Sequence, residues 1–331
     1  MKKGCIALLA LTASVAAAEL TLRLIAPIRT VGIQKAYQYD PELGYRLKPG
    51  IHLLETTDHQ EEVRVNRQGT VNFQEDFASY GAPIFALGDS YTAGTGLPAD
   101  AAYPFQLDLI LNRDQRGLYS RRYAVVNLGL AAFGGEQSLI ALRRYTAHLG
   151  KPSIVLYLGS ENDYTDDVLF KSGSRHRHLV EGNPYWGRML PLARWAGGTE
   201  LGKRLKVAAA TPRRPREADG APAGGGGPAK SVAELEQPVL EKIAAQCGEY
   251  GAVLVVSWSA APSPSYDWLK SWAAGKGIAF ADWSPAVESV RSSIPAVPIE
   301  NPHSGGHLRG WVMRMVAEAF ARQIQARSPG T

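Results

Sequence analysis

The sequence predicts an α/β fold: a three-layer α/β/α sandwich around a central parallel sheet, with a β-rich lead-in before it. Three observations predict it. Short apolar runs such as Ile84–Leu87 and Ile154–Leu158 recur along the chain, each short enough for a buried strand. Segments with helical spacing, such as Glu136–Leu149, lie between them. A polar, turn-rich stretch from about Ala36 to Tyr80 precedes the first of these runs. Alternation of strand and helix places parallel strands in one sheet with helices on both faces.

The N-terminus comes first. Lys2 and Lys3 precede an apolar run from Cys5 to Ala18, and Ala16-Ala17-Ala18 stands before Glu19. A basic start, an apolar stretch and small residues form the pattern of a secretory signal. The core of this run is short against the ~20 residues that a spanning helix needs. Leu20, Leu22, Leu24 and Ile25 extend it, so residues 1–26 read as a cleaved signal or as a retained membrane anchor. Either form implies export to a periplasmic or extracellular site. Cys5 is too early for a lipoprotein signal.

Residues 31–80 form the lead-in. Turn residues in Asp40-Pro41-Glu42-Leu43-Gly44 and Lys48-Pro49-Gly50, with Val63 and Val65 alternating against polar neighbours, suit short strands. The main domain, 81–331, then runs strand 84–87, helix 103–111, strand 123–128, helix 136–149 and strand 154–158. After an interruption it resumes with helix 233–249, strand 252–257, helix 266–274, strand 278–281 and helix 308–324. The interruption, about 171–230, ends in a Pro/Arg and Gly/Pro tract. From about Ala208 that tract has too little apolar surface to offset the entropy of ordering.

Composition narrows the function. The chain has 331 residues, 45% hydrophobic and 20% charged, enough for one large domain with additions. A net charge of +5, with no basic patch interleaved with aromatics, does not point to nucleic acid. Two cysteines and no Cys/His spacing of the zinc kind give no reason to expect a metal, and no other cofactor is expected. Trp258, Trp268, Trp272, Trp283 and Trp311 crowd the C-terminal part, where packing between sheet and helices is the expected role.

In such sheets reactive groups gather at the carboxyl ends of strands. Ser90 lies there, after the apolar run and Gly88-Asp89. A serine on that turn is either a helix cap or a nucleophile held above the sheet. Three ordered blocks resemble the SGNH/GDSL hydrolase family: Phe85–Ser90, then Val126-Asn127-Leu128-Gly129 with Gly134-Gly135, then Ile154–Gly159 leading to Asn162-Asp163. The resemblance covers about 83–322, apart from the insertion. It implies a flavodoxin-like hydrolase fold and an ester-bearing substrate. It also implies Ser90 as nucleophile, and an oxyanion hole from the N–H groups of Ser90 and Gly129 with the Asn162 side chain. One departure is local: two residues, Ser160 and Glu161, separate Gly159 from Asn162, where the family usually has one.

The family also places a histidine before its last helix, with an acid three residues upstream. Register from Val316-Ala317-Glu318 puts the base on His307, with Ser304 where the acid is expected. The alternative base is His303, for which Glu300 is three residues upstream. A serine nucleophile needs such a base, and the base gains from an acid that fixes its tautomer. The expected functions are therefore an esterase acting on acyl groups such as acetyl on a cell-envelope polysaccharide, an acyltransferase using the same site, or an inactive glycan-binding module.

Overall fold

A computed structural model describes residues 2–25, 36–55, 60–113, 117–173, 191, 195, 199–202, 230–301 and 306–327. His303, Ser304 and nearly all of the 171–230 insertion lie outside the described residues.

The chain opens with helix α1 (Lys2–Ile25). Ile6, Leu9, Leu11, Leu20 and Leu24 are exposed along it. Among the described residues no helix is long and apolar enough to cross a membrane. The lead-in is two antiparallel hairpins: β1 (Tyr37–Asp40) with β2 (Gly44–Leu47), and β3 (Gly50–Glu55) with β4 (Gln60–Val65).

The main domain carries one parallel sheet. Its strands are β5 (Ala82–Gly88), β6 (Tyr123–Asn127), β7 (Ile154–Gly159), β8 (Val253–Trp258) and β9 (Ala279–Phe280), in the order β6-β5-β7-β8-β9. This is the doubly wound order, which reverses direction between β5 and β7 and opens a crevice at their carboxyl ends. Helices α3 (Tyr103–Asn112) and α10 (Gly310–Gln325) pack together on one face. On the other lie α4 (Gly135–Leu149), α7 (Gln237–Tyr250) and α8 (Pro264–Lys276). Ile84, Phe85, Ala86 and Leu87 are fully buried, as the continuous apolar run of a doubly covered strand requires. Trp258 and Trp283 are core residues, and Trp268, Trp272 and Trp311 pack half-buried against that core. Cys247 is a buried free thiol, which burial pushes up to about 12.

A one-turn helix, α2 (Ser90–Ala93), follows β5 directly, where a helical segment is expected. Three other helices depart from the sequence expectation. α5 (Asp163–Lys171) and α9 (Ser284–Ser293) stand where none was expected. Their apolar signal is weak: α9 buries only Val287, and the buried residues of α5 are three aspartates. The expected helix over 233–249 is split into α6 (Val232–Leu235) and α7. Pro238, in the first turn of α7, lacks the N–H that a continuous helix would need there.

The lead-in covers the edge of the sheet. Tyr45 donates its hydroxyl to Ala131 O at 2.7 Å, Gln137 Nε2 donates to Leu43 O at 2.7 Å, and Arg144 Nη1 meets Asp40 Oδ2 at 2.7 Å. Edge strand β6 is met like a partner strand: Val71 N–H donates to Asn127 O, and Asn72 accepts from Asn127 N at 2.9 Å while donating to Val125 O at 2.9 Å. One side chain thereby satisfies the edge backbone. Replacing it (Asn72→Ala) should cost roughly 1–3 kcal/mol of stability, read as a lower urea midpoint, because it orphans two part-buried backbone groups.

Candidate active site

Ser90 follows a turn that only glycine can make. Gly88 has φ +144°, and a Cβ there would meet Thr92 Oγ1 and lie 2.6 Å from Leu158 O. That close approach lets the chain leave β5 and enter α2 at once. Asp89 caps the helix, its Oδ1 accepting from Tyr91 N at 2.9 Å. Ser90 is thereby held at the carboxyl end of β5, 9% exposed.

Its nearest partner among the described residues is distant in sequence. Ser90 Oγ lies 2.7 Å from His307 Nε2 and 3.3 Å from Asp89 Oδ2. For Nε2 to accept the hydroxyl proton, the imidazole proton must sit on Nδ1. The histidine comes from the segment before α10. His307 O accepts from Asn301 N at 2.7 Å, and a bridge pairs Glu300 with Leu308. Tyr91 stacks at an angle on the imidazole, with ring centroids 4.9 Å apart, and donates to Gly306 O at 3.3 Å. Burial, then the charge of Asp89, pushes the Tyr91 phenol up to about 12, so it stays a neutral donor. Glu300 lies in this loop too, its Oε2 3.9 Å from where a Cβ on Gly306 would stand.

Two of the three expected oxyanion donors, Gly129 and Asn162, are already engaged. Gly129 N–H donates to Asn127 Oδ1 at 3.0 Å. A Cβ on Gly129 would lie 2.5 Å from Thr92 Cβ and 2.7 Å from Ala93 N, so glycine is required for the α2 turn to pack here. Asn162 Nδ2 donates to Asp166 Oδ2 at 2.7 Å and to Asp89 Oδ2 at 3.3 Å.

The two-residue spacing between Gly159 and Asn162 has a visible reason. Glu161 turns outward and accepts from Trp258 Nε1, Ser263 Oγ and Ser265 Oγ, tying the end of β7 to the loop after β8. Ser160 turns inward, fully buried, and contacts Asp89, Asn162 and Asp163. Burial pushes the Asp89 carboxyl up, against donors from Tyr91, Ser160 and Asn162 and the nearby His307. Burial, and then the charge of Asp89, pushes Asp163 well above the carboxylate range.

Sequence reasoning passed over Asp89, Ser160, Asp163 and Asp166 as site residues. Their signal was polar residues at strand ends in an otherwise apolar pattern, with Asp163 and Asp166 one helical turn apart. Among the described residues no group of His, Cys, Asp and Glu is arranged to hold a metal.

Comparison with known proteins gives likenesses at low identity. No family model and no curated protein matches the chain. Among solved structures, a member of the lipolytic protein G-D-S-L family from Veillonella parvula is 10% identical, over 75% of this chain and 100% of that chain, with TM-score 0.40. An acetylxylan esterase from Geobacillus stearothermophilus, solved as a catalytic mutant, is 15% identical over 75% and 96%, with TM-score 0.40. AlinE4, an SGNH-hydrolase family esterase, is 13% identical over 76% and 98%, with TM-score 0.35. Fold does not set function; the chemistry of this chain rests on its own side chains.

Behind the site, burial raises Glu236 to about 8 and Asp167 to about 6 from ordinary values of 4.5 and 3.8. Each holds a proton in the folded chain that the unfolded chain has released. Stability should therefore fall as pH rises from about 4 to about 8. The substitution Glu236→Gln should flatten the part of that slope between about 6 and about 8. Urea midpoints measured across this range check it, and an unchanged slope in the variant would refute it.

Proposed function

We propose that this chain is a serine ester hydrolase of the SGNH/GDSL type, with Ser90 as nucleophile and His307 as general base. The observation that carries the reading is the 2.7 Å contact between Ser90 Oγ and His307 Nε2, across 217 positions of sequence. A nucleophile and base within hydrogen-bond reach form the unit that acyl transfer needs.

In this reading Ser90 Oγ attacks the acyl carbonyl as its proton passes to His307 Nε2. The imidazolium then protonates the departing alkoxide, leaving an acyl group on Ser90. Water, deprotonated by the same nitrogen, attacks that acyl group and frees the serine. The negative oxygen of each tetrahedral intermediate is held by the N–H groups of Ser90 and Gly129 and by Asn162 Nδ2. Gly129 and Asn162 now donate to Asn127 Oδ1 and to Asp166 and Asp89, so these donors are held in place by groups that share them with the oxyanion. Glu300, beside Gly306, is the candidate acid behind His307 in the described residues. His303, the alternative base, lies outside them.

The substrate class we propose is a short acyl ester, acetyl on a cell-envelope polysaccharide being the specific form. Export through residues 1–26, as cleaved signal or anchor, belongs to the same proposal and rests on the Lys2-Lys3 start, the apolar run and the alanines before Glu19. An acyltransferase would use the same groups with a sugar hydroxyl in place of water. Product analysis with an acyl donor and a glycan acceptor separates the two.

A short-chain aryl ester should be hydrolysed by the full chain, and Ser90→Ala and His307→Ala should each remove turnover. Unchanged turnover in Ser90→Ala would overturn the proposal. For Asn162→Ala, kcat should fall by about 10²–10³ at similar KM, the usual cost of one lost oxyanion donor.

A further inference from the structure

Ser160 Oγ lies 2.8 Å from Asp89 Oδ2, 2.7 Å from Asp163 Oδ1 and 2.8 Å from Asn162 Oδ1. All three neighbours are acceptor oxygens, and a serine hydroxyl has a single proton. The Asn162 amide cannot be turned to help. Its Nδ2 faces the carboxylate oxygens of Asp166 and Asp89, so its oxygen must face Ser160.

Ser160, Asp89 and Asp163 are each at least 99% buried, so water cannot make up the difference. Were both carboxyls ionised, Ser160 would satisfy one acceptor. The other carboxylate would be left against a lone pair at under 3 Å, with no hydrogen between them. A buried charge in that position is strongly disfavoured.

One more proton is therefore needed between the two buried carboxyls, whereas Asn162 is an exposed residue whose oxygen water can reach, and the donor pattern says where that proton goes. Leaving Ser160 Oγ aside, Asp89 accepts from Tyr91 N–H on Oδ1 at 2.9 Å and from Asn162 Nδ2 on Oδ2 at 3.3 Å, with the Ser90 hydroxyl also 3.3 Å from Oδ2. Asp163 Oδ2 accepts from the Tyr157 hydroxyl at 2.7 Å and from Ser160 N–H at 3.1 Å. Its Oδ1 faces Ser160 Oγ, the one contact of Asp163 that lacks a hydrogen when Ser160 donates to Asp89.

We infer that Asp163 is held as a neutral carboxylic acid at neutral pH, its Oδ1–H donating to Ser160 Oγ while Ser160 donates to Asp89 Oδ2. The buried site then carries one negative charge, on Asp89, rather than two. No bond beyond these hydrogen bonds is made or broken, and the extra proton is taken from solvent as the chain folds. Burial and the charge of Asp89 both push the Asp163 carboxyl upward, in the same sense.

The groups facing Asp163 agree. Tyr157 on β7 stays neutral, pushed well up by burial and by Asp163. Asp89 on the β5–α2 turn is the ionised acid beside Asp163 and favours its keeping the proton, while Glu236 before α7, raised to about 8, is itself mostly protonated at pH 7. Relative to the catalytic reading above, on which this consequence rests, Asp163 is a positioning residue. It fixes Ser160, Ser160 fixes Asp89, and Asp89 holds the Ser90 turn and the Asn162 amide. A second charge would oppose the negative oxygen that forms on the substrate.

The test uses the full chain labelled with ¹³C at the aspartate side-chain carboxyls, which excludes Glu236. One carboxyl resonance should stay at the protonated position at pH 7, above the range in which Asp167, at about 6, has released its proton. It should be missing from Asp163→Asn. Absence of any protonated aspartate at pH 7 in the wild-type chain, or its persistence in Asp163→Asn, would overturn the inference whether or not the chain hydrolyses esters. The kinetic arm distinguishes the two readings. The amide in Asp163→Asn can still donate to Ser160 and accept from Tyr157. Turnover of the aryl ester should therefore survive in it and extend to higher pH, while Asp163→Ala should lose about tenfold or more in kcat. Equal loss in the Asn and Ala variants, with wild-type turnover intact, would also overturn it.

Discussion

Asp89 keeps its carboxyl group where no solvent reaches, and donors drawn from separate parts of the chain meet the cost of that burial. Tyr91 N–H comes from the first turn of α2, and the Ser160 hydroxyl and Asn162 amide come from the segment after β7. A buried charged group left without partners would cost several kcal/mol. The strand ends of β5 and β7 are therefore held in one relative position. Ser90 follows from that arrangement, since its turn is capped by the same carboxylate and made possible by Gly88.

The same logic of satisfied polar groups extends to the edge of the sheet. β6 needs partners on its outer side, and Asn72 with Val71 supplies them from the lead-in. Gln137 and Arg144 on α4 reach back to Leu43 O and Asp40, so the hairpins are tied to the helix as well as to the strand. In Asp40, burial raises the carboxyl, but the Leu43 N–H and Arg144 outweigh it and hold the group below the ordinary carboxylate range. The lead-in is thus part of the structure that keeps the Asn127–Gly129 segment in place, and Gly129 in turn gives α2 room to pack.

Legibility in sequence followed the strength of local pattern. The strands over 84–87, 123–128 and 154–158 were visible because a strand buried on both faces needs an unbroken apolar run. The helices α5 and α9 were hidden because their buried positions are polar or nearly lacking. Ser90, Gly129 and Asn162 were legible as motif residues at strand ends. Ser160 was visible only as an extra residue in a spacing, and its buried contacts with two carboxyls depend on β5 and β7 lying side by side.

By itself the sequence determined the alternation of strand and helix, the apolar core of the sheet and the candidate serine, since each is written in residues close together along the chain. Only the tertiary structure decided which groups meet. It brought His307 to Ser90 across 217 positions, set Glu300 beside Gly306, and gathered Asp89, Ser160 and Asp163 into one dry cluster. The physical reason is that hydrogen bonding and proton sharing depend on distances of about 3 Å, which parallel strand pairing creates between residues that no local pattern relates.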